Sequence, residues 1–225
     1  MPPRPPLALL FDLDGTLADS VALLLAAFHH TFSTHRPHDT PSDEAWIAGI
    51  GTPLITQMRH FVPNEDDAQQ MILTYREFQR THHDEMLREF DGVGETLALL
   101  KSRGHPTALV TSKSNDLAHR AVNWLHLTNS IDVVVGMDST LRHKPDPAPV
   151  RFALAALGAH ASNALFLGDS PHAIAAGNAA GVTSVAALWG PFSRTVLELA
   201  NPTWLLEHIR ELPALIDRLD ASKSS

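Results

Sequence analysis

The chain has 225 residues, 17 Lys and Arg against 25 Asp and Glu, and a formal net charge of −8. That length suits one large domain or a domain with an insertion, and the acidic balance disfavours nucleic acid as the main partner, because phosphate backbones select basic surfaces. With no Cys there is no disulfide framework and no thiol chemistry, as suits a reducing cytoplasm; the Pro-rich start MPPRPP disfavours a signal peptide, and no apolar run approaches the ~20 residues of a bilayer span.

Leu7 to Phe11 is a short continuous apolar run, the pattern of a strand buried on both faces. Asp12 and Asp14 follow, then Gly15 and Thr16, where the chain must turn. Asp and Gly are also ordinary turn residues, so this stretch alone leaves a purely structural reading open.

From Ser20 to about Leu87 the periodicity is helical. Asp19 or Ser20 is placed to cap a helix with Val21, Leu24, Leu25 and Phe28 on one side. A break over Arg36 to Ser42 precedes a short helix, Asp43 to Ala48. The loop Gly49-Ile50-Gly51-Thr52-Pro53 and helical patterns over Leu54 to Phe61 and Glu65 to Leu87 complete the block. Lacking strand signals, it is expected to stay out of any sheet, as a helical domain of residues 18–87 inserted into a core of residues 1–17 and 88–225.

From Gly92 the pattern alternates helix and short apolar strand. Helices are predicted over Glu95–Arg103, from the cap Ser114 to His126, over Pro147–Leu157 and Pro171–Ala180, after the cap Ser193, and at the C-terminus. Strands are predicted over Thr107–Val110, Ile131–Val135, Ala164–Leu167, Val182–Ala186 and, at an edge, Trp204–Leu206. Repeated βαβ units imply an α/β fold, a Rossmann-like doubly wound parallel sheet with helices on both faces. Ala221 to Ser225 is expected to fray.

The residues just after each strand carry the chemistry. They are Asp12 and Asp14, then Thr111, Ser112 and Lys113, then Lys144 in the Gly136–Asp146 loop, then Gly168, Asp169 and Ser170. Parallel strands bring these ends to one edge, where ligands bind in open α/β sheets. Three carboxylates there imply a hard cation such as Mg2+. A hydroxyl, an ammonium and a helix start imply an anion of several oxygens, most simply phosphate.

Taken together, DxDGT at Asp12–Thr16, the hydroxyl of Thr111, Lys144 in HKPDP and GDSPH at Gly168–His172 resemble the four motifs of the haloacid dehalogenase superfamily. The inserted helical block resembles the cap of its phosphoglycolate-phosphatase-like branch, and TYREFQRTHHDEM at Thr74–Met86 with the Gly49–Pro53 loop resembles the bacterial pyrophosphatase branch. The resemblance implies Asp12 as nucleophile through an aspartyl-phosphate, Asp14 as acid and base, and Thr111 and Lys144 on the phosphoryl oxygens. It also implies Mg2+ held by Asp12, Asp14 through its backbone carbonyl, and Asp169. Gly15, Thr16, Ser112, Lys113, Gly51 and Thr52 are the expected substrate contacts. Dehalogenase members lack an acid at the position of Asp14, which favours a phosphatase, with phosphoglycolate or inorganic pyrophosphate as substrate and a monomer or homodimer as assembly. A phosphomutase and a weakened phosphate-binding regulatory protein are the alternatives, the latter because the family's usual second acid of the last motif is replaced here by Ala173.

Outside those motifs, Arg59, Arg76 and Lys113 are candidates for a second anionic group, with plain solvation the expected role of each. His82, His83, Asp84 and Glu85 are consecutive on a predicted helix and point different ways, so these histidines are expected to be exposed and without a transition-metal role. Trp46, Trp124, Trp189 and Trp204 are expected in core or cap packing.

Overall fold

A computed structural model describes residues 6–222. The strands β1 (Ala8–Phe11), β4 (Thr107–Val110), β5 (Val133–Val135), β6 (Ala164–Gly168), β7 (Thr183–Ala187) and β8 (Trp204–Leu206) form one sheet in the order β5-β4-β1-β6-β7-β8. Every pairing in it is parallel, with Phe11 level with Leu109 on one side and Leu167 on the other. The DxDGT stretch therefore leaves from the central strand.

Side chains alternate across that sheet as the strand period of two requires. Leu9 and Phe11 enter a core with α5 (Val93–Ser102), α6 (Asn115–Trp124) and α10 (Leu212–Ser222). Ala8 and Leu10 enter the opposite core, with α7 (Ala148–Ala156) and α8 (Pro171–Ala180). A smaller cluster seats α9 (Arg194–Leu199) through Leu197.

The helices α1 (Val21–His35), α2 (Asp43–Ile47), α3 (Leu54–Phe61) and α4 (Glu65–Met86) have a separate core of Leu24, Phe28, Phe32, Trp46, Met58, Met71 and Tyr75. Trp46 lies at its centre, stacked on Phe28 with ring centroids 4.7 Å apart. This block joins no strand of the large sheet, but its two crossings to that sheet pair as an antiparallel ribbon, β2 (Ala18–Asp19) with β3 (Arg88–Glu89). Two-residue strands lie below what alternation can signal, so the ribbon is invisible in the sequence.

Several local expectations are corrected. Ser20 and Ser114 stand at the N-cap positions of α1 and α6 without a side-chain capping bond, whereas Ser193 accepts from the Val196 amide. Trp124 and Trp204 are exposed at the surface, whereas Trp46 is fully buried in the core of the α1–α4 block and half-buried Trp189 packs against the sheet core. His83 is buried, not solvated. Ala221 and Ser222 continue α10, while the rest of the expected frayed tail, and the start of MPPRPP, lie outside the described residues.

Candidate active site

The sheet edge gathers the residues expected there. Asp12, one residue past β1, is buried, and its Oδ2 accepts from Lys144 Nζ at 2.5 Å while Oδ1 accepts from the Leu13 amide at 2.8 Å. Lys144 Nζ also donates to Val110 O at the end of β4 and lies 5.9 Å from the Phe166 ring centroid. The lysine thus reaches back from the loop after β5 to the first strand. Burial raises the Asp12 carboxyl above its ordinary range, against the opposing pull of Lys144.

Asp169 follows β6 and is 1% exposed. Its Oδ1 accepts from Thr16 Oγ1 at 2.9 Å, while its Oδ2 is buried with no hydrogen-bond partner among the described residues. Burial, and then the charge of Asp12, push its carboxyl up to about 8. Two buried carboxylates facing one buried ammonium leave the floor of the site short of positive charge. An orphaned carboxylate oxygen in such a place suits a hard divalent cation with oxygen ligands.

Asp14 points elsewhere. Its Oδ1 accepts from Ser20 Oγ at 2.5 Å and ion-pairs with Lys113 Nζ at 3.0 Å. Among the described residues no three acidic or imidazole side chains converge on one point. The three-carboxylate cluster expected from the sequence is therefore two side chains, Asp12 and Asp169, leaving Asp14 only its backbone carbonyl for a cation. Ser20, placed by the sequence as a helix cap, spends its hydroxyl on Asp14 instead.

Gly15 and Thr16 serve Asp169. A Cβ on Gly15, which has φ 74°, would stand 2.1 Å from Asp169 Oδ2, so only Gly allows this approach. The half-buried Trp189 fixes the same turn by donating Nε1 to Thr16 O at 2.9 Å. Neither Gly15 nor Thr16 lines the crevice, where the sequence placed them as substrate contacts.

Above this floor the α1–α4 block covers a crevice. Its lower wall carries Asp12, Asp14, Thr111, Ser112 and Lys113; its upper wall carries Gly51, Thr52, Gln57, Tyr75, Arg76 and Gln79. Direct contacts hold the two together. Ser112 Oγ donates to Gly51 O at 2.6 Å, and a Cβ on Gly51, at φ 97°, would meet Ser170 Oγ at 2.6 Å. Arg120 of α6 donates to Asp84 and to Arg80 O of α4. Thr52 donates its hydroxyl to Gly49 O, within its own loop.

Of the three extra cations singled out in the sequence, Arg59 is paired with Glu65 at an exposed site away from the crevice, whereas Lys113 and Arg76 both line it. Gln79 is a crevice residue that the sequence did not single out; its place on the Arg76 face of α4 was the available signal, through the i, i+3 spacing.

The family model described as haloacid dehalogenase-like hydrolase matches residues 9–187. A PpaX-named relative from Caldanaerobacter subterraneus subsp. tengcongensis is 36% identical over 213 residues, 95% of this chain and 96% of that protein. Pyrophosphatase PpaX of Bacillus cereus is 33% identical over 213 residues, 95% of this chain and 97% of that protein. Among solved structures, a predicted phosphoglycolate phosphatase from Haemophilus somnus superposes with a TM-score of 0.85 at 22% identity, covering 93% of this chain and 97% of that one. At such identity the superposition speaks for the fold. With a family model spanning most of its length and relatives a third identical along it, the chain belongs to the haloacid dehalogenase-like hydrolase family.

Proposed function

We propose that this enzyme is a Mg2+-dependent phosphatase that works through an aspartyl-phosphate on Asp12, with inorganic pyrophosphate as its preferred substrate. The observation that carries the reading is the buried Asp12 carboxylate at the end of the central strand, oriented by Lys144 and the Leu13 amide. A carboxylate so fixed is a competent nucleophile, and splitting one displacement into two lowers each barrier.

In the first step an Asp12 oxygen bonds to phosphorus, the bond to the leaving oxygen breaks, and Asp14 supplies that oxygen with a proton. In the second, Asp14 takes a proton from water, whose oxygen attacks the phosphorus and releases inorganic phosphate, restoring Asp12. Asp14 is suited to both because its carboxyl lines the crevice and is oriented by Ser20 and Lys113. Lys144 and the hydroxyl of Thr111 hold phosphoryl oxygens, neutralising charge where it spreads. Asp12, Asp169 and the Asp14 carbonyl would hold Mg2+, which adds further neutralisation of the transferring phosphoryl group. Residues 18–87 act as the cap that excludes water from the crevice. Pyrophosphate is preferred over phosphoglycolate because the pyrophosphatase-named relatives match at 32–36% identity along the chain, while the phosphoglycolate-phosphatase likeness is one of fold.

The test is phosphate release with Mg2+ from pyrophosphate, phosphoglycolate, sugar phosphates and nucleotides, beside Asp12→Asn. Preferred turnover of pyrophosphate that vanishes in the variant is the expected result. No release from any of them would leave a phosphate-binding regulatory protein, and transfer back to a sugar phosphate would mean a mutase.

A further inference from the structure

The cations at the floor of the crevice are already paired. Lys144 is committed to Asp12 and Lys113 to Asp14. The cap arginines are committed too: Arg36 to Asp39, Arg59 to Glu65, Arg80 to Glu77, and Arg88 to backbone oxygens of Asp84 and Leu87. Arg76 differs. It is half-buried, it lines the crevice from α4, and it has no carboxylate or hydrogen-bond partner among the described residues. One turn further along, Gln79 lines the same wall, is 6% exposed, and its side chain makes no hydrogen bond among the described residues.

Tyr75 anchors this wall. Its hydroxyl donates to Leu24 O at 3.1 Å across to α1, so the stretch of α4 that carries Arg76 is fixed to the cap core. Arg76 and Gln79 stand one turn apart on a fixed helix and line the same crevice as Asp12, so a ligand entering it meets a guanidinium that no carboxylate among the described residues engages.

We infer that Arg76 and Gln79 form the subsite for the leaving group, and that it selects leaving groups bearing their own anionic oxygens, phosphoryl or carboxylate. This rests on the phosphatase reading. The floor holds the phosphoryl group that is transferred, and Arg76 meets the charge the substrate carries beyond it, with the Gln79 amide donating to the same oxygens. A guanidinium presents a planar fork to phosphate or carboxylate, so it fixes the distal group's orientation as well as its charge. Neutral leaving groups leave Arg76 uncompensated and bind less well.

The experiment measures binding of three non-hydrolysable probes by calorimetry at saturating Mg2+. Methylenediphosphonate carries a distal phosphoryl group, phosphonoacetate a distal carboxylate, and methylphosphonate neither. The protein should bind one or both of the first two at least about tenfold more tightly than methylphosphonate, as expected for a charge-assisted bidentate contact. Which of the two it prefers separates the phosphoryl from the carboxylate source. Arg76→Met should erase the preference, and Arg76→Lys should restore part of it. A wild-type protein without the preference, or an Arg76→Met variant that keeps it, overturns the subsite. Phosphate release is scored separately. If release is present and the preference ignores Arg76, the subsite falls and the phosphatase reading stands; if the preference depends on Arg76 without release of phosphate, the reverse holds.

Discussion

The two walls of the crevice are built on opposite plans. The floor hangs from the ends of parallel strands, and its carboxylates and lysines are already hydrogen-bonded or ion-paired, apart from one oxygen of Asp169. The roof is built from the Gly51–Thr52 loop, α3 and α4, and α4 presents Arg76 and Gln79 without side-chain partners among the described residues. Groups that perform a fixed reaction are set in place before substrate arrives, at the ends of elements locked into the sheet. Groups proposed to recognise a substrate stand on a block with a core of its own. On the proposed reading, chemistry and selection belong to two blocks with separate hydrophobic cores.

The most damaging break is at the floor. Asp12→Asn should lower kcat by about 10^4-fold or more, the scale of removing a covalent nucleophile, while a distal-anion preference seated in the roof survives in equilibrium binding. Single-turnover kinetics with pyrophosphate checks the first part. Residual turnover within tenfold of the parent would remove Asp12 from the role of nucleophile.

The roof breaks through its core. Trp46 is fully buried, stacks on Phe28, meets Phe32 edge-on at 5.9 Å, and receives the Gln57 amide on its carbonyl at 2.5 Å. Trp46→Ala should cost the cap about 3–5 kcal/mol, typical of deleting a large buried aromatic. In a denaturant titration followed by separate cap and core probes, the cap transition should move to lower denaturant and the core transition should hold. If both move together, the molecule unfolds as one unit and the two-plan description loses its thermodynamic meaning.

How much of each wall was legible in the sequence follows from the same contrast. The floor was legible because strand ends in a parallel sheet are forced to one edge, so Asp12, Thr111, Lys144 and Asp169 could be placed together from chain order alone. Their partners were harder to see. Thr16 has the composition of a substrate contact and instead holds Asp169; Ser20 has the composition of a helix cap and instead holds Asp14. Thr16 and Asp169 are 153 positions apart in the chain, a pairing that local spacing cannot signal. On the roof, α4 itself was legible to within a residue, but which arginine of the α3–α4 block faces the crevice was not. Arg59, Arg76 and Arg80 look alike in sequence, and only the docking of the cap turns Arg76 inward.

Ala173 sharpens the account of the floor. It is fully buried at the start of α8, so close to the end of β6 that its Cβ is 2.5 Å from where a Cβ on Gly168 would stand. Ala173→Asp would add a third carboxylate to a floor that already holds Asp12 and Asp169. Without Mg2+ the variant should melt below the parent, because like charges are crowded in a buried place. With saturating Mg2+ it should recover, and the Mg2+ concentration for half activity should fall about 10–100-fold, the usual range for a group that orients metal ligands. Equal destabilisation with and without Mg2+, and an unchanged Mg2+ requirement, would show that this position does not communicate with the metal.

The smallest expected effect lies at the seam between the walls. His83 on α4 is buried, with Nδ1 2.6 Å from Asp84 Oδ1 and Nε2 without a partner. Around it stand Leu23, Gln79, Leu87, Lys113 and Leu117, with Arg120 bound to the same Asp84. Burial lowers the imidazole from its ordinary 6.5, and Arg120 and Lys113 act in the same direction while Asp84 opposes them. The folded state therefore binds this proton less readily than the unfolded chain. Stability contributed here is complete above the unfolded value near 6.5 and declines as the pH falls below it. His172, half-buried beside the crevice, is lowered for the same first reason and adds to the decline. In His83→Asn the amide can donate to Asp84 as Nδ1 does, but it cannot be protonated at this pH. The fall in Tm between pH 7.5 and pH 5.5 should shrink by a few degrees in that variant, on the scale of roughly 2–4 °C per kcal/mol for a chain of this size. An unchanged fall would assign the pH dependence to His172 and the floor, and take the seam out of it.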